Sequence, residues 1–273
     1  MTEREAHITS CVKEHFDEAC SLGHEIFCVV LQGSQNYNLD LYTPDYRSDV
    51  DTKAIVLPSF NDFVRGKQPI STTHVRQNDE HIDLKDIRVM FDTFKKQNVN
   101  FVEILFSPYY IVSPKYKDLF ETLRNIGERL THCNPCQTVR TMAGMSCEKL
   151  KALCHPYPTI IDKIDKYGYD GKQLHHIIRI NAFLKNYISG MSFASCLTTH
   201  TAEDFTMAMD AKLNVYPLAV AKEMAERIHH ETLEIKNAFE EKHGDDPIDQ
   251  APYTILEDIK TEAITRRFKE QLQ

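Results

Sequence analysis

The sequence lacks a long apolar run, which a membrane protein would need. No stretch of 18 consecutive apolar residues occurs among its 273 residues, and a membrane-spanning helix needs about 20. Residues 1–5 are polar and charged, so they do not resemble the start of an export signal. We therefore expect a cytoplasmic protein with no membrane partner.

Several catalytic signatures are missing as well. The sequence contains no Gly-x-x-x-x-Gly-Lys-Ser/Thr loop, which excludes a P-loop NTPase, and no serine-hydrolase or protein-kinase motif. Basic residues are also fewer than acidic ones. The sequence has 32 Lys and Arg and 40 Asp and Glu, which gives a formal net charge of −8. Non-specific binding to nucleic acid depends on neutralising phosphates, so an RNA substrate would have to be held by a local basic patch.

The eight cysteines do not have the spacing of a small disulfide scaffold, and we expect reduced thiols packed in a core. Cys133 and Cys136 form a Cys-x-x-Cys pair, with Cys147 and Cys154-His155 downstream. A zinc site uses four such ligands, but the second half lacks a close pair. The overall composition, 42% hydrophobic and 26% charged, is ordinary for a globular protein of one or two domains.

Two short apolar runs near the start of the chain carry the features that suggest chemistry. Residues 26–31 and 50–57 read as neighbouring buried strands. The first is followed by Gly33-Ser34, whose backbone N–H groups and hydroxyl a phosphate can approach. The second begins with Asp49 and Asp51, which share one face of the strand while Val50 points into the core. Two adjacent carboxylates suit Mg²⁺ that also binds substrate phosphates, so the pattern predicts a nucleotide site.

The same residues carry a family resemblance. In order along the chain, the motif residues are Gly33-Ser34, Tyr37, Leu39, Thr43-Pro44, Asp49 and Asp51. This order resembles the nucleotidyltransferases of the DNA polymerase beta superfamily, and more narrowly a predicted nucleotidyltransferase family with members associated with bacterial RNA repair. The resemblance implies an α+β fold, with a mixed sheet flanked by helices in residues 1–113. An α-helical nucleotide- and substrate-binding domain would follow in residues 114–273.

The superfamily places a third carboxylate on a strand next to the Asp-x-Asp pair. Residues 71–76 and 79–85 read as a hairpin, and we predict Asp83, in its second arm, as that carboxylate. Asp79 lies at the turn, while Glu80 and Asp86 have the opposite parity. A solvent-exposed hairpin charge is the alternative interpretation of Asp83.

The resemblance also implies roles for the other residues. Asp49, Asp51 and Asp83 would hold two Mg²⁺ ions, for which Mn²⁺ could substitute. Phosphates would be bound by Gly33 and Ser34, and their charge neutralised by Lys53 and, as a weaker candidate, Arg47. Glu103, inside an apolar run, would accept a buried hydrogen bond or cap a helix rather than act in catalysis.

A basic stripe marks one predicted helix of the second part. Lys172, His176 and Arg179 fall within one sector of this helix, opposite an apolar stripe that includes Leu174, and His175 lies off the basic stripe. Such a stripe is usually the solvated face of a helix. The family carries Tyr-Asp-x-Lys followed by His and Arg at this point, which implies that these cations bind the nucleotide triphosphate.

These observations predict an enzyme that moves an NMP from an NTP to an acceptor hydroxyl and releases pyrophosphate. The family resemblance favours an RNA 3′ end as acceptor, with a protein hydroxyl or a small molecule as alternatives, and any of the four bases is compatible with the residues. A non-catalytic nucleotide- or RNA-binding protein that uses the same pocket is the second hypothesis. A zinc-stabilised interaction module is the third.

Overall fold

The computed structural model describes residues 1–43 and 46–273, and it shows an α+β protein. Five strands form one mixed sheet in the order β3-β4-β2-β1-β5. The strands are β1 (Glu25–Gln32), β2 (Asp51–Leu57), β3 (Ser71–Val75), β4 (His81–Asp86) and β5 (Tyr110–Val112). β1 runs antiparallel to β2 and β5, β3 runs antiparallel to β4, and β2 runs parallel to β4. The predicted α+β class and the predicted hairpin are confirmed.

The helices of the described residues are α1 (Glu3–Ser21), α2 (Phe60–Val64), α3 (Ile87–Lys95), α4 (Val99–Val102), α5 (Lys117–Asn125), α6 (Gly127–His132), α7 (Pro135–Ala152), α8 (Ile161–Tyr167), α9 (Gly171–Ile188), α10 (Phe193–Thr198), α11 (Ala202–Lys212), α12 (Leu218–His243) and α13 (Ala251–Leu272). None of these helices is both long enough and apolar enough to cross a bilayer.

The chain divides into two compact units. The first unit contains residues 1–133 and 248–273, and the second contains residues 134–247. This division differs from the predicted boundary at residues 113 and 114. The reason is packing: Tyr116 and Phe120 contact Phe27 of β1, which keeps α5 with the sheet. The last helix, α13, returns to the first unit and contacts α3 and α5.

In the first unit, α1 packs on one face of the sheet. Its buried residues Ile8, Val12 and Ala19 join a core cluster with residues of β1, β2 and β4, among them Val29 and Val56. Helix α3 contacts β2 and β4. Alternate side chains of β1 and β2 are buried on both faces, which is why these strands read as continuous apolar runs.

The second unit is all helical among the residues the structure describes. Helix α9 is its centre, in contact with α7, α10, α11 and α12. Asp170 caps the start of α9 by accepting a hydrogen bond from the backbone N–H of Lys172 at 3.1 Å. Helices α9 and α11 approach closely at Gly171, where an added Cβ would lie 2.0 Å from the carbonyl oxygen of Ala211. Only glycine fits this position without a shift of the backbone.

Candidate functional site

Strand register brings the glycine-serine corner and the acidic motif to the same end of the sheet. Gln32, the last residue of β1, pairs with Asp51, the first residue of β2. Gly33 and Ser34 follow directly, so they lie beside the start of β2. Asp49 is exposed and Val50 is buried in the core, as the predicted alternation requires. The sequence-predicted neighbours Gly33, Ser34, Asp49 and Asp51 are therefore brought together.

The corner is held by a buried carboxylate. The backbone N–H of Gly33 donates to Oε1 of Glu103 at 2.9 Å, and Glu103 is 2% exposed. This confirms the predicted buried hydrogen bond of Glu103. Gly33 has φ 91° and ψ −156°, a conformation that is essentially restricted to glycine. In this arrangement the Gly33 N–H is satisfied by Glu103, so a phosphate at the corner would meet Ser34 first.

Two side chains fix the backbone of the acidic motif. Gln35 donates from Nε2 to the carbonyl oxygen of Asp49 at 2.5 Å. On the other side, the N–H of Val50 donates to Oε1 of Glu80 at 3.4 Å. Hydrogen bonds on both sides therefore fix the backbone of the segment that carries Asp49 and Asp51.

Glu80 belongs to a buried network with α1. Its Oε2 lies 3.0 Å from Nε2 of His15 and accepts from Arg76 at 2.7 Å, while Nδ1 of His15 lies 2.9 Å from Oγ1 of Thr52. Burial would raise the pKa of Glu80, but hydrogen bonds, the strongest from His15, hold that pKa at about 2. The parity argument correctly excluded Glu80 from the exposed face, and its observed contacts are those of a support for the Asp-x-Asp segment.

The pairing of β4 with β2 decides which side chains flank each aspartate. Thr52 pairs with Ile82 and Lys53 pairs with Asp83, so His81 is the residue beside Asp51. The N–H of His81 donates to Oδ1 of Asp51 at 2.9 Å, and Nδ1 of His81 lies 3.5 Å from the same oxygen. Asp83 does share the face of Asp51, but it lies one strand repeat further on, about 7 Å along the strand.

Asp83 is instead engaged by a cluster of partners from three strands. Its Oδ2 is 3.1 Å from Nζ of Lys53 and 3.3 Å from Nε2 of Gln32, and its Oδ1 accepts from Thr73 at 2.6 Å. Lys53 Nζ also donates to Oε1 of Gln32 and sits 4.3 Å from the centre of the Phe101 ring. Asp83 is therefore not the solvent-exposed hairpin charge of the alternative interpretation.

The electrostatics of the pair follow from its burial. Lys53 is 4% exposed, and burial lowers the pKa of its ammonium group, with Asp83 acting in the opposite direction. Burial tends to raise the pKa of the Asp83 carboxyl group, but the Thr73 hydrogen bond and the Lys53 cation outweigh it and hold that pKa below its usual value. Lys53 thus has the Asp83 carboxylate as its partner, and its role toward a phosphate stays a prediction.

The three predicted carboxylates do not converge on one point. Among residues 1–43 and 46–273, no three His, Cys, Asp or Glu side chains are close enough together to hold a metal ion. The same finding covers the cysteines considered for zinc, all of which are free thiols. Two of them have other contacts: Cys133 accepts from Gln97, and Cys136 donates to the carbonyl oxygen of His243. Asp49, Asp51 and Asp83 stay a prediction as metal ligands.

Arg47 lies near the motif and is anchored to α1. It forms an ion pair with Glu3 at 2.9 Å and stacks 4.7 Å from the centre of the Tyr42 ring. Its side chain is 45% exposed, so an incoming anion could still reach it. Pro44 and Asp45, which belong to the family motif, lie outside the described residues.

The basic residues of α9 form a cluster within the second unit. Lys172 is exposed, but Arg179 is only 4% exposed, so the stripe is not simply a solvated helix face. The buried Nδ1 of His176 has no hydrogen-bond partner in the part of the chain that the structure describes. Burial and the Arg179 charge lower the pKa of His176 far below its usual value. His175, off the stripe as predicted, instead lies 2.9 Å from the carbonyl oxygen of Ala208.

Lys149 of α7 also lies close to Lys172 and Arg179 of α9, and the sequence analysis did not identify it. Burial lowers the pKa of Lys149, and Lys172 and Arg179 lower it further, while Glu148 and Asp170 act against this. Lys149, Lys172, His176 and Arg179 are called the cation cluster below. Several positive groups gathered around a buried arginine favour an anion. No pattern in the sequence around Lys149 identifies it, because its place in the cluster depends on how α7 packs against α9.

His81 and Asp83 have the same parity, so alternation alone places both on the face of Asp51. The sequence does not give the β2–β4 register, which sets His81 and not Asp83 beside Asp51.

Comparisons with known proteins assign no family to this chain. No family model and no curated protein matches the sequence. Among solved structures, a nucleotidyltransferase-like protein from Exiguobacterium sibiricum 255-15 aligns over 85% of this chain and 75% of its own chain, with 10% sequence identity and a TM-score of 0.32. At that TM-score the two chains need not share a fold, so the similarity assigns neither a family nor an activity to this protein.

Proposed function

We propose that this protein is a nucleotidyltransferase that depends on a divalent metal ion and moves an NMP from an NTP to an acceptor hydroxyl. One observation carries the proposal: the β1–β2 register sets half-buried Asp51 opposite Gln32, next to the Gly33-Ser34 corner, and exposed Asp49 lies two residues before it in the chain. Oxygen ligands for a metal and a hydroxyl for a phosphate then lie at one end of the sheet, which is the pairing that a metal–nucleotide complex requires.

The residues fit one ion more readily than two. Mg²⁺ is usually held by one or two carboxylates, with phosphates and water in the remaining positions, and Asp49 with Asp51 can supply that. A bound divalent ion would neutralise phosphate charge and favour ionisation of the attacking hydroxyl. The predicted second ion at Asp83 would require this carboxylate to exchange Lys53 for a metal.

The proposed reaction is an in-line displacement at the α-phosphorus. The acceptor oxygen forms a bond to the α-phosphorus, the bond from the α-phosphorus to the α,β-bridging oxygen breaks, and pyrophosphate leaves with that oxygen. The proton of the acceptor hydroxyl passes to solvent or a carboxylate of the motif. Ser34 would orient the phosphates, and Arg47 would offset part of their charge.

The second unit carries a separate group of residues that we propose to bind phosphate. The cation cluster combines Lys149, Lys172 and buried Arg179 with a His176 nitrogen that lacks a hydrogen-bond partner. Phosphate oxygens would satisfy these groups. The acceptor we favour is an RNA 3′ end, which rests on the family resemblance alone. The cytoplasm as setting rests on the expected reduced thiols and on a start of the sequence that does not resemble an export signal.

The test is release of pyrophosphate from each NTP with Mg²⁺ or Mn²⁺. Asp49→Ala and Asp51→Ala are each expected to abolish NMP transfer without loss of the fold, because each removes an oxygen ligand from a side chain that is exposed or half-buried. Asp92→Ala, which removes an exposed aspartate of α3, is the matched control and should retain full activity. Unchanged transfer in either motif variant would remove the metal argument.

The acceptor is identified in the same experiment. The protein is incubated with α-labelled NTPs together with total cellular RNA and protein, and the labelled fraction is then isolated. Label on RNA 3′ ends supports the favoured acceptor, whereas label on protein or on a small molecule replaces it.

Binding without transfer is the second candidate function. The observation in its favour is that Lys53, Gln32 and Thr73 already occupy both oxygens of Asp83. An NTP that binds with metal, protects the protein thermally and releases no pyrophosphate in any acceptor mixture would select this function over the transferase.

A further inference from the structure

A buried histidine of α1 contacts the strand behind the acidic motif. His15 lies on the apolar face of α1 and is 0% exposed. Its two ring nitrogens contact Glu80 and Thr52, both of which are buried. We propose that His15 is a positioning residue for Asp51: it fixes the chain on either side of this aspartate and thereby orients its carboxylate. This role rests on the proposed function for what Asp51 does in the reaction, whereas the contacts of His15 do not.

The contacts of His15 reach both chain neighbours of Asp51. Nδ1 of His15 lies 2.9 Å from Oγ1 of Thr52, the residue that follows Asp51. Nε2 of His15 lies 3.0 Å from Oε2 of Glu80, whose Oε1 accepts from the N–H of Val50 at 3.4 Å. Val50 and Thr52 are buried, whereas 31% of the Asp51 side chain is exposed. The two neighbours are therefore held on one side of the strand, and alternation directs Asp51 to the other side.

Glu80 also connects His15 to the carboxylate of Asp51 itself. The next residue in the chain, His81, donates its N–H to Oδ1 of Asp51 at 2.9 Å. Glu80 and His81 share the peptide group that carries this N–H, so a displaced Glu80 displaces the donor as well. Arg76 holds Oε2 of Glu80 at 2.7 Å, together with His15. The direction of the Asp51 carboxylate therefore depends on where α1 holds Glu80.

The contacts assign one tautomer to the neutral imidazole ring. Burial tends to raise the pKa of Glu80, but its hydrogen bonds, the strongest from His15, hold that pKa at about 2. Glu80 is therefore a carboxylate, which can only accept hydrogen bonds, and Nε2 of His15 must carry the proton. Nδ1 is then an acceptor, and the hydroxyl of Thr52 donates to it. Both nitrogens of the buried ring have partners, as buried polar groups require.

Stability alone does not account for a polar side chain at this position. Buried charged groups lose hydration, so apolar side chains of similar volume often stabilise a core equally well. His15 lies on the same buried face of α1 as Val12 and Ala19, which pack in the core cluster of the sheet. A leucine would continue that apolar face. What the imidazole adds is direction, because a fully satisfied buried polar network selects one arrangement of its members.

NMR spectra of the full chain test the positioning without reference to any reaction. Nitrogen-15 spectra of the His15 ring should show a protonated Nε2. His15→Leu, which loses both contacts, should shift the side-chain carboxyl resonance of Asp51 and the amide resonance of Val50. His15→Gln should keep both resonances close to those of the wild type, because the glutamine amide places an N–H donor near the position of Nε2. If His15→Leu does not fold, His15→Asn takes its place, since the shorter amide does not reach Glu80.

Val12→Ala is the matched control for a loss of stability. Val12 is 2% exposed on the same face of α1 and belongs to the same core cluster. Its truncation should lower the melting temperature without removing a polar contact, and it should leave the Asp51 carboxyl resonance and the kcat of NMP transfer unchanged. Circular dichroism confirms that each variant is folded at the temperature of the measurement.

The kinetics of NMP transfer measure the consequence for the proposed reaction. His15→Leu should lower kcat about tenfold or more, because displacement of a group that supports a ligand or a reacting geometry has effects of this size. The KM for the NTP should change much less, since the oriented carboxylate acts mainly in the transition state. His15→Gln should recover most of the lost kcat.

The two kinds of measurement separate this positioning role from the proposed function. An Asp51 resonance that depends on His15, with no pyrophosphate from any NTP, supports the positioning and removes the transferase. Transfer with a kcat that His15→Leu leaves unchanged supports the transferase and overturns the positioning. An unprotonated Nε2 in the wild type, an Asp51 resonance that His15→Leu does not shift, or an equal shift in Val12→Ala also overturns it.

Discussion

Lys53 is a cation that β2 carries into the interior of the first unit. Its ammonium group meets Asp83 on the neighbouring strand, Gln32 on the other side and the face of Phe101. Such a pair in a low-dielectric setting gains Coulomb energy and loses hydration energy, and the two nearly cancel. Removing only one partner destabilises the fold, because the remaining charge has still lost its hydration energy and no longer gains Coulomb energy from its partner.

We expect Lys53→Met to lower the free energy of unfolding by about 2–4 kcal/mol, since it leaves Asp83 without its cation. This range lies below that of a fully buried pair because 22% of the Asp83 side chain is exposed. The double variant Lys53→Met with Asp83→Leu should recover to within about 1 kcal/mol of the wild type. Urea denaturation of the four species in the cycle measures the coupling.

Lys85→Met is the control for that cycle. Lys85 lies on the same face of β4, but its ammonium group contacts only the hydroxyl of Ser71, at 2.8 Å, among the side chains described. Its replacement should change stability by less than about 0.5 kcal/mol. If the double variant were as unstable as the two single variants combined, the two residues would not be coupled and the pair would not explain the position of Asp83.

At the scale of elements, helix α9 organises the second unit through one close approach. Gly171, at its first turn, leaves room for the carbonyl oxygen of Ala211 at the end of α11. Asp170 caps the helix at the same point. The start of α9, which also carries Lys172 of the cation cluster, is therefore positioned by contact with α11.

Gly171→Ala should destabilise the second unit by about 3 kcal/mol or more, because the added methyl group would lie 2.0 Å from a backbone oxygen that cannot rotate away. Gly144→Ala is the matched control in the same unit. Gly144 lies within α7, and an added Cβ there would meet no atom within 4 Å. Alanine is the better helix former, so this variant should be more stable by about 0.5–1 kcal/mol.

Thermal and urea unfolding of both variants measure these changes. Equal stabilities for the two alanine variants would contradict the steric role of Gly171. A loss of phosphate affinity in Gly171→Ala at a temperature where it remains folded would further show that the α9–α11 contact positions Lys172.

At the scale of the whole molecule, the second unit is an insertion in the first. The chain leaves the first unit after Cys133 and re-enters it at Ile248. The two crossing points are adjacent, since the N–H of Asp249 donates to the carbonyl oxygen of Cys133 at 3.0 Å. Arg129 reinforces the junction by pairing with Asp249 at 2.6 Å.

We expect the first unit to fold without the second. A chain in which residues 134–247 are replaced by a short Gly-Ser linker should keep its β-sheet and unfold cooperatively, because the linker spans ends that already touch. A chain that stops at Pro247 provides the contrast. It lacks α13, whose Leu256, Ile259 and Ala263 are buried, and its first unit should unfold at a lower temperature or aggregate.

Circular dichroism and amide NMR dispersion measure both chains. A linked chain with no dispersed amide spectrum would show that the first unit needs the inserted helices, and the two units would then form one folding unit.

Local sequence determined a large part of this protein. The buried strands β1 and β2, the hairpin of β3 and β4, the Gly33-Ser34 corner and the parity of Asp49 and Asp51 all follow from residues that are neighbours in the chain. Side-chain alternation and backbone freedom are local properties, so composition and spacing were sufficient to predict them. The role of Glu103 was also accessible, because a single carboxylate in an apolar run must find a donor.

Only the tertiary structure decided the partners of these residues. The β2–β4 register gave Asp83 to Lys53 and His81 to Asp51, although all of these side chains share one face of the sheet. The return of α13 to the first unit and the burial of Arg179 among helices are equally non-local. Register and helix packing minimise the free energy of the whole unit by burying apolar surface and pairing buried charge. No short stretch of sequence determines this free-energy minimum, because it depends on residues from distant parts of the chain.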